Sequence, residues 1–150
     1  MSLSLQPIDE RVAVSGQLTP ADMKHVAAAG YVAVVNNRPD GEAAFGQPRT
    51  ADLRRAAEAA GLVFLDLPFS GPRASPDQVR ALLNLMADRD GRIVAFCKSG
   101  MRSALLWGAA ALVSGRTLDD VLKAAGCAGQ NLAPVSEVMS ALASATIQHA

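Results

Sequence analysis

A chain of 150 residues, half of them hydrophobic, holds enough material for one well-filled core, and residues 1–150 are expected to form a single domain. Fourteen Lys and Arg balance fourteen Asp and Glu and only 4% of the residues are aromatic, which argues against a nucleic-acid or membrane-surface partner. Residues 1–7 lack the basic and apolar segments of a secretory signal, and the longest apolar run, residues 104–113, is about half a bilayer span, so a cytoplasmic location is expected.

The first strand is expected over residues 11–14. Thr19, Pro20 and Asp22 then mark a helix start, with a cap, a proline at the first helical position and an acid facing the dipole; Gly30 ends that helix. Residues 31–35 are apolar and β-rich, and Asn36-Asn37-Arg38-Pro39-Asp40-Gly41-Glu42 has the composition of a loop. A helix over roughly residues 50–60 stops at Gly61, residues 62–67 form the next strand, and Pro68-Phe69-Ser70-Gly71-Pro72-Arg73 the next loop. Ser75, Pro76 and Gln78 open another helix with a capping-box pattern. The last strand covers residues 92–96, and three helices follow: an apolar one to about Ser114, one capped by Thr117 that ends near Gly126, and one from about Pro134 to Ile147.

This alternation predicts an α/β fold with a mainly parallel central sheet of about four to five strands, helices on both faces and right-handed crossovers. Ligands in such sheets bind beyond the carboxyl ends of the strands, so the loops at residues 36–42, 68–73 and 97–102 are expected to converge on one pocket.

Cys97-Lys98-Ser99-Gly100-Met101-Arg102-Ser103 lies between the last strand and the apolar helix. Backbone N–H groups of such a loop and of the first helical turn have no helical partners and make a concavity that attracts anions. Thiols placed there beside cations ionise at pKa ~3.5–7.5 instead of ~8.5, so Cys97 is expected to act as a nucleophile. Gly100 permits a tight loop, Ser99 and Ser103 supply hydroxyls, and the planar fork of Arg102 suits an oxyanion. An isolated cysteine is more often a small buried hydrophobe; the mutual consistency of these neighbours favours function. Cys127 reads as a bystander or a resolving thiol, and Trp107 as core packing. His25 and His149 lie far apart, without the Cys or carboxylate spacing of a metal site, and read as surface residues; no metal or cofactor is expected.

Three stretches, Val14-Ser15-Gly16-Gln17-Leu18-Thr19-Pro20-Ala21-Asp22, Val34-Val35-Asn36-Asn37-Arg38-Pro39-Asp40-Gly41-Glu42, and the Cys97 to Ser103 loop with Leu106-Trp107, occur here as an ordered set. On these residues the chain resembles the beta-lactamase-hydrolase-like, phosphatase-like family, a branch of the cysteine phosphatase fold that shares features with rhodaneses. The resemblance implies a dual-specificity-phosphatase-like domain with Cys97 and Arg102 as catalytic residues and Lys98, Ser99, Gly100, Met101 and Ser103 in the anion loop. It also brings Arg38 near the pocket, where Arg38 either assists an anionic substrate or pairs with Glu42 in a self-contained turn.

Two departures bear on the chemistry. Cysteine phosphatases typically place five residues between nucleophile and arginine, whereas four stand here, as in the Cys-x-Ser-Gly-x-Arg-Ser loop of single-domain rhodaneses; Phe96 also replaces the histidine that commonly precedes the nucleophile. An ester leaving group needs a general acid, yet residues 69–73 contain no carboxylate, leaving Asp66 and Asp77 as candidates that also suit structural roles. Sulfite leaves thiosulfate without a proton. The first expectation is therefore a cofactor-free sulfurtransferase using a Cys97 persulfide, with thiosulfate or a persulfide as donor. The alternatives are a phosphatase acting on phosphate esters through a phosphocysteine, and a non-catalytic anion- or phosphopeptide-binding module. The sequence pattern specifies no oligomeric state.

Overall fold

The computed structural model describes residues 3–148; His149 lies outside them. Its strands are β1 (Gln6–Pro7), β2 (Val12–Ser15), β3 (Tyr31–Asn36), β4 (Val63–Asp66) and β5 (Arg92–Phe96). The helices are α1 (Met23–Ala28), α2 (Thr50–Ala59), α3 (Pro76–Asp88), α4 (Met101–Val113), α5 (Leu118–Cys127) and α6 (Ser136–Gln148), with short 3-10 turns at Pro20–Asp22 and Ala133–Val135. One sheet runs in the order β1-β2-β5-β3-β4, with the last four strands parallel and β1 antiparallel to β2.

β5 is central, and its period-two alternation distributes side chains to two cores. Ile93 and Ala95 pack with Leu82 of α3, Leu106 of α4 and Met139 of α6, while Val94 and Phe96 pack with Met23 and Val26 of α1 and with Leu53 and Ala57 of α2. The expected α/β fold with helices on both faces is therefore the observed one. α4 is buried almost all round, and its small residues explain how: at Gly108 a Cβ would collide with the Met139 sulfur, so the glycine lets α6 pack closely. Trp107 is in the core, its Nε1–H donating to Asp9 Oδ2 at 2.8 Å, and His25 is exposed.

Local starts follow the sequence chemistry. Ser75 Oγ accepts from the Gln78 N–H at 3.2 Å and Gln78 Oε1 accepts from the Ser75 N–H at 3.0 Å, the reciprocal box that fixes the α3 entry. Ser75→Ala is expected to cost about 1 kcal/mol, read as a lower urea midpoint with an unchanged slope. At the first helical turn, Asp22 Oδ2 accepts from the Thr19 N–H at 2.8 Å.

The register sets the site. Ser15 pairs with Phe96, Phe96 with Asn36, and Asn36 with Asp66, so four parallel strands end side by side and their outgoing loops share one edge. Among the described residues no helix is long and apolar enough to cross a membrane.

Candidate active site

Cys97 is the first residue beyond β5, and only 1% of its surface is exposed. Its N–H donates to the Ser15 carbonyl at 3.3 Å, and its Sγ accepts the Gly100 N–H at 3.1 Å. The sulfur is buried, met by this backbone donor and close enough to Arg102 to raise that group's pKa. Gly100 has φ +96°, which L side chains avoid, and a Cβ there would lie 2.7 Å from Gln130 Nε2. Gln130 Nε2 in turn donates to the Ser99 carbonyl at 3.1 Å, and a Cβ on Gly16 would lie 3.1 Å from the Lys98 carbonyl. These contacts hold the loop from both sides. Gly100→Ala is expected to destabilise the fold by ~1–2 kcal/mol, the cost of a left-handed non-glycine residue, and to swing the 100 N–H off the sulfur; thermal melting and thiol alkylation rate would report the two effects.

Arg102, in the first turn of α4, points across the strand ends. Its Nη1 donates to Glu42 Oε2 at 2.7 Å and to the Phe69 carbonyl at 3.1 Å, and its Nη2 donates to Glu42 Oε1 at 2.9 Å. Arg38 Nε also donates to Glu42 Oε1 at 2.9 Å, while Arg38 Nη1 donates to Gln17 Oε1 at 3.0 Å. One carboxylate thus joins two guanidinium groups. The hydrogen bond from Arg102, followed by that from Arg38, holds the Glu42 pKa down at about 2 despite opposing desolvation. Arg102 is shifted reciprocally upward, chiefly by Glu42 and further by the charge on Cys97. The pairing of Arg38 with Glu42 expected for a local turn is present, and the same carboxylate reaches the anion loop.

Arg38, Glu42, Ala43, Lys98 and Arg102 line an opening of about 430 Å³ at this edge. The three expected loops do meet, through the contacts of Arg102 with Glu42 and Phe69. Ser103 faces inward: its Oγ donates to Asn37 Oδ1 at 2.8 Å, and Asn37 Nδ2 donates to the Leu67 carbonyl at 3.0 Å. Ser103 therefore braces the loops, and its hydroxyl is committed to Asn37. Met101 is partly exposed beside Arg102, and Lys98 and Ser99 are exposed.

The two candidate acids are each held by a partner outside the anion loop. Asp66 Oδ1 accepts from Asn36 Nδ2 at 2.8 Å, and the same Nδ2 donates to the Arg38 carbonyl at 2.9 Å. Asp77, with a side chain 90% exposed, pairs with Arg80 one turn on in α3. Cys127 ends α5 and is exposed.

Sequence reasoning did not assign Glu42, Asn37, Gln17 or Gln130 to the site. Asn36-Asn37 at the end of an apolar strand was the available signal, because buried amides require partners.

Comparison with known proteins agrees with the fold. Residues 4–113 match the family model described as beta-lactamase hydrolase-like protein, phosphatase-like domain. A beta-lactamase hydrolase-like protein of Agrobacterium fabrum is 38% identical over 112 residues, covering 75% of this chain and 25% of the relative. One from Xylella fastidiosa Temecula1 is 32% identical over 124 residues, covering 83% of this chain and 28% of its own length. The chain thus spans about a quarter of the length of these relatives. The structure of a candidate phosphatase from Neisseria meningitidis Z2491 superposes with a TM-score of 0.81 at 29% identity, covering 94% of this chain and 99% of that one. Tk-PTP in its active form shares the fold with a TM-score of 0.75 at 24% identity, over 96% of this chain and 99% of its own. The ordered motifs, the sheet and the family match agree, and the chain belongs to the phosphatase-like domain family of beta-lactamase hydrolase-like proteins.

Proposed function

We propose that this protein is a cysteine-dependent phosphatase, a phosphomonoester hydrolase in which Cys97 is the nucleophile and Arg102 the anion-binding partner. The observation that carries the reading is the Cys97 sulfur, held by the Gly100 N–H and close to Arg102, whose guanidinium lines an opening shared with Arg38 and Lys98. The family match and the Neisseria neighbour support phosphate-ester chemistry over the sulfur transfer expected from loop length. In the first step the Cys97 thiolate forms an S–P bond as the ester P–O bond breaks and the leaving oxygen departs with the electron pair. Water then attacks phosphorus, the S–P bond breaks, and inorganic phosphate and the thiolate are released. Backbone N–H groups of residues 98–102 and the Arg102 guanidinium stabilise the equatorial oxygens.

The proton inventory narrows the substrate. Glu42 is too acidic to donate a proton near neutrality, Asp66 is bonded to Asn36 and Asp77 to Arg80. Leaving groups that depart unprotonated are therefore favoured, and aryl phosphates are expected to turn over at least ~100-fold faster than alkyl phosphates. A steady-state series of esters with leaving groups of increasing basicity checks this; a flat series would require a general acid.

Sulfur transfer is the second reading, supported by the four-residue spacing of Cys97 and Arg102 and by the lack of a carboxylate in residues 69–73. A paired assay separates the two. Release of p-nitrophenol from its phosphate without thiocyanate formation from thiosulfate and cyanide supports the phosphatase. Thiocyanate without p-nitrophenol transfers the assignment to a persulfide enzyme. Silence in both assays with measurable phosphate binding leaves an anion-binding module.

A further inference from the structure

At the edge of the sheet opposite Cys97, where Arg11 leads into β2, a hollow of about 180 Å³ opens between α3 and α4. Trp107, Ala110 and Ala111 share one face of α4 and make its buried floor, and the half-buried Leu83 and Met86 of α3 line it from the facing helix. Ala110 and Ala111 end at a methyl group, and the space that longer side chains would take is the hollow. Its rim is charged, yet nearly every polar group there is committed. Asp9 Oδ1 accepts the Arg11 and Val12 N–H groups at 2.8 and 2.7 Å, and its Oδ2 accepts Trp107 Nε1–H at 2.8 Å. Arg11 donates from Nε to the Gly91 carbonyl at 2.8 Å, and from Nη2 to the Met86 and Arg89 carbonyls at 3.1 and 2.7 Å. Ser114 Oγ donates to the Ala110 carbonyl at 3.0 Å, and Glu10 is exposed, so solvent screens its charge. Arg116 is the exception. Among the described residues its guanidinium makes one polar contact, Nη1 to Asp9 Oδ2 at 3.5 Å, the longest ion pair of the set, and it lies 5.7 Å from the Trp107 ring centroid. The other N–H groups of that planar fork are available to a ligand.

We propose that this hollow is a second ligand site, separate from the catalytic opening, that takes a small aromatic carboxylate with its ring against Trp107 between α3 and α4 and its carboxylate on the Arg116 guanidinium. Size sets the ring count: an apolar cavity of about 150 Å³ holds one benzene molecule, and a hollow of about 180 Å³ holds one ring and not two. The side chains of the floor and walls offer no free hydrogen-bonding group, since the Trp107 N–H is bound to Asp9, so their contribution to a ligand is burial of carbon. The one uncommitted group at the rim is a cation with a two-pronged donor geometry, which selects a planar carboxylate at the open end of the ring. Arg102, in the first turn of α4, is engaged with Glu42 and Phe69 at the other edge, and the catalytic opening shares no lining residue with the hollow.

Trp107 is the sole tryptophan of the chain, so its fluorescence reports occupancy of the hollow directly. Phenylacetate is expected to change that fluorescence saturably with a Kd of about 1 mM. Phenylacetamide, which keeps the ring and loses the charge, and acetate, which loses the ring, are expected to bind at least ~10-fold more weakly. Saturating inorganic phosphate, which addresses the anion loop, should leave the phenylacetate affinity unchanged. In calorimetry, Arg116→Gln is expected to bring phenylacetate down to the affinity of phenylacetamide, and Ala111→Leu, which fills the hollow, to weaken both. Thermal melting verifies that each variant is folded, and the exposed position of Arg116 keeps the first variant informative should the second not fold. The site is overturned by the lack of a saturable change in both fluorescence and heat up to about 20 mM phenylacetate, by competition from phosphate, by equal affinities for phenylacetate and phenylacetamide, or by wild-type affinity in Arg116→Gln.

Discussion

Cys97→Ser is expected to abolish turnover, with kcat falling by at least ~10³-fold, while the fold and anion binding survive. The oxygen of serine fits the space of the sulfur, but a hydroxyl is protonated at neutral pH, position 96 is Phe, and among the described residues no carboxylate is hydrogen-bonded to residue 97 to take its proton. The cradle itself does not depend on the sulfur. Gly100, left-handed at φ +96°, has Gln130 and Ser15 on the side where a Cβ would stand, and Arg102 is held by Glu42 and the Phe69 carbonyl. Thermal melting and phosphate binding of Cys97→Ser should therefore match the wild type within error while p-nitrophenol release disappears. Retained turnover would remove Cys97 as nucleophile; lost phosphate binding with an intact melt would show that the sulfur itself organises the loop. The same variant applied to thiocyanate formation tests the second reading, because a persulfide equally requires the sulfur.

What could be read from the sequence and what could not differ in range. The strand-Cys-Lys-Ser-Gly-Met-Arg segment carries its own geometry: an apolar strand must end before a polar loop, and a glycine preceding a helix permits the turn that brings its N–H back to the sulfur. Ser75 and Gln78 likewise define a helix start within four residues. β1 left no such trace, since two exposed residues have no alternation to detect and the strand exists only through pairing with Ala13 and Val14. Glu42 was visible as a partner of Arg38 four positions earlier, but its bond to Arg102 spans 60 residues and is created by the adjacency of β3 and β5. Ser103 showed the complementary limit. Its hydroxyl looked available to an anion, yet the helix turn directs it to Asn37, and the distinction depends on which face of α4 meets the sheet. Phosphate and sulfur chemistry diverged for a related reason: loop length is local, whereas the proton donors available to a leaving group are set by loops from β4 and β3.

Arg102→Met should lower kcat/KM by roughly 10²–10³-fold, the loss typical of removing a preorganised charge donor from a developing oxyanion. Its linked effect is on Glu42, for which the Arg102 hydrogen bond is the largest cause of a pKa lowered from 4.5 to about 2. A carboxylate depressed in the folded state stabilises the protein fully above its unfolded pKa of 4.5, and that contribution is lost as pH falls toward 2. With the Glu42 side chain 28% exposed, the contribution is about 1–2 kcal/mol once solvent screening is allowed for. In Arg102→Met, Arg38 remains and the Glu42 pKa climbs part of the way back, so less stability remains to be lost in acid. Urea unfolding is therefore expected to show the variant weaker than wild type at pH 7, with the gap narrowing as pH approaches 3. A constant gap would show that Glu42 does not titrate against Arg102, and an unchanged kcat/KM would show that the guanidinium serves the loop without touching the reacting anion. Arg102→Lys separates charge from shape: it keeps the cation but cannot reproduce the two parallel bonds to Glu42, so it should recover acid-dependent stability more fully than turnover.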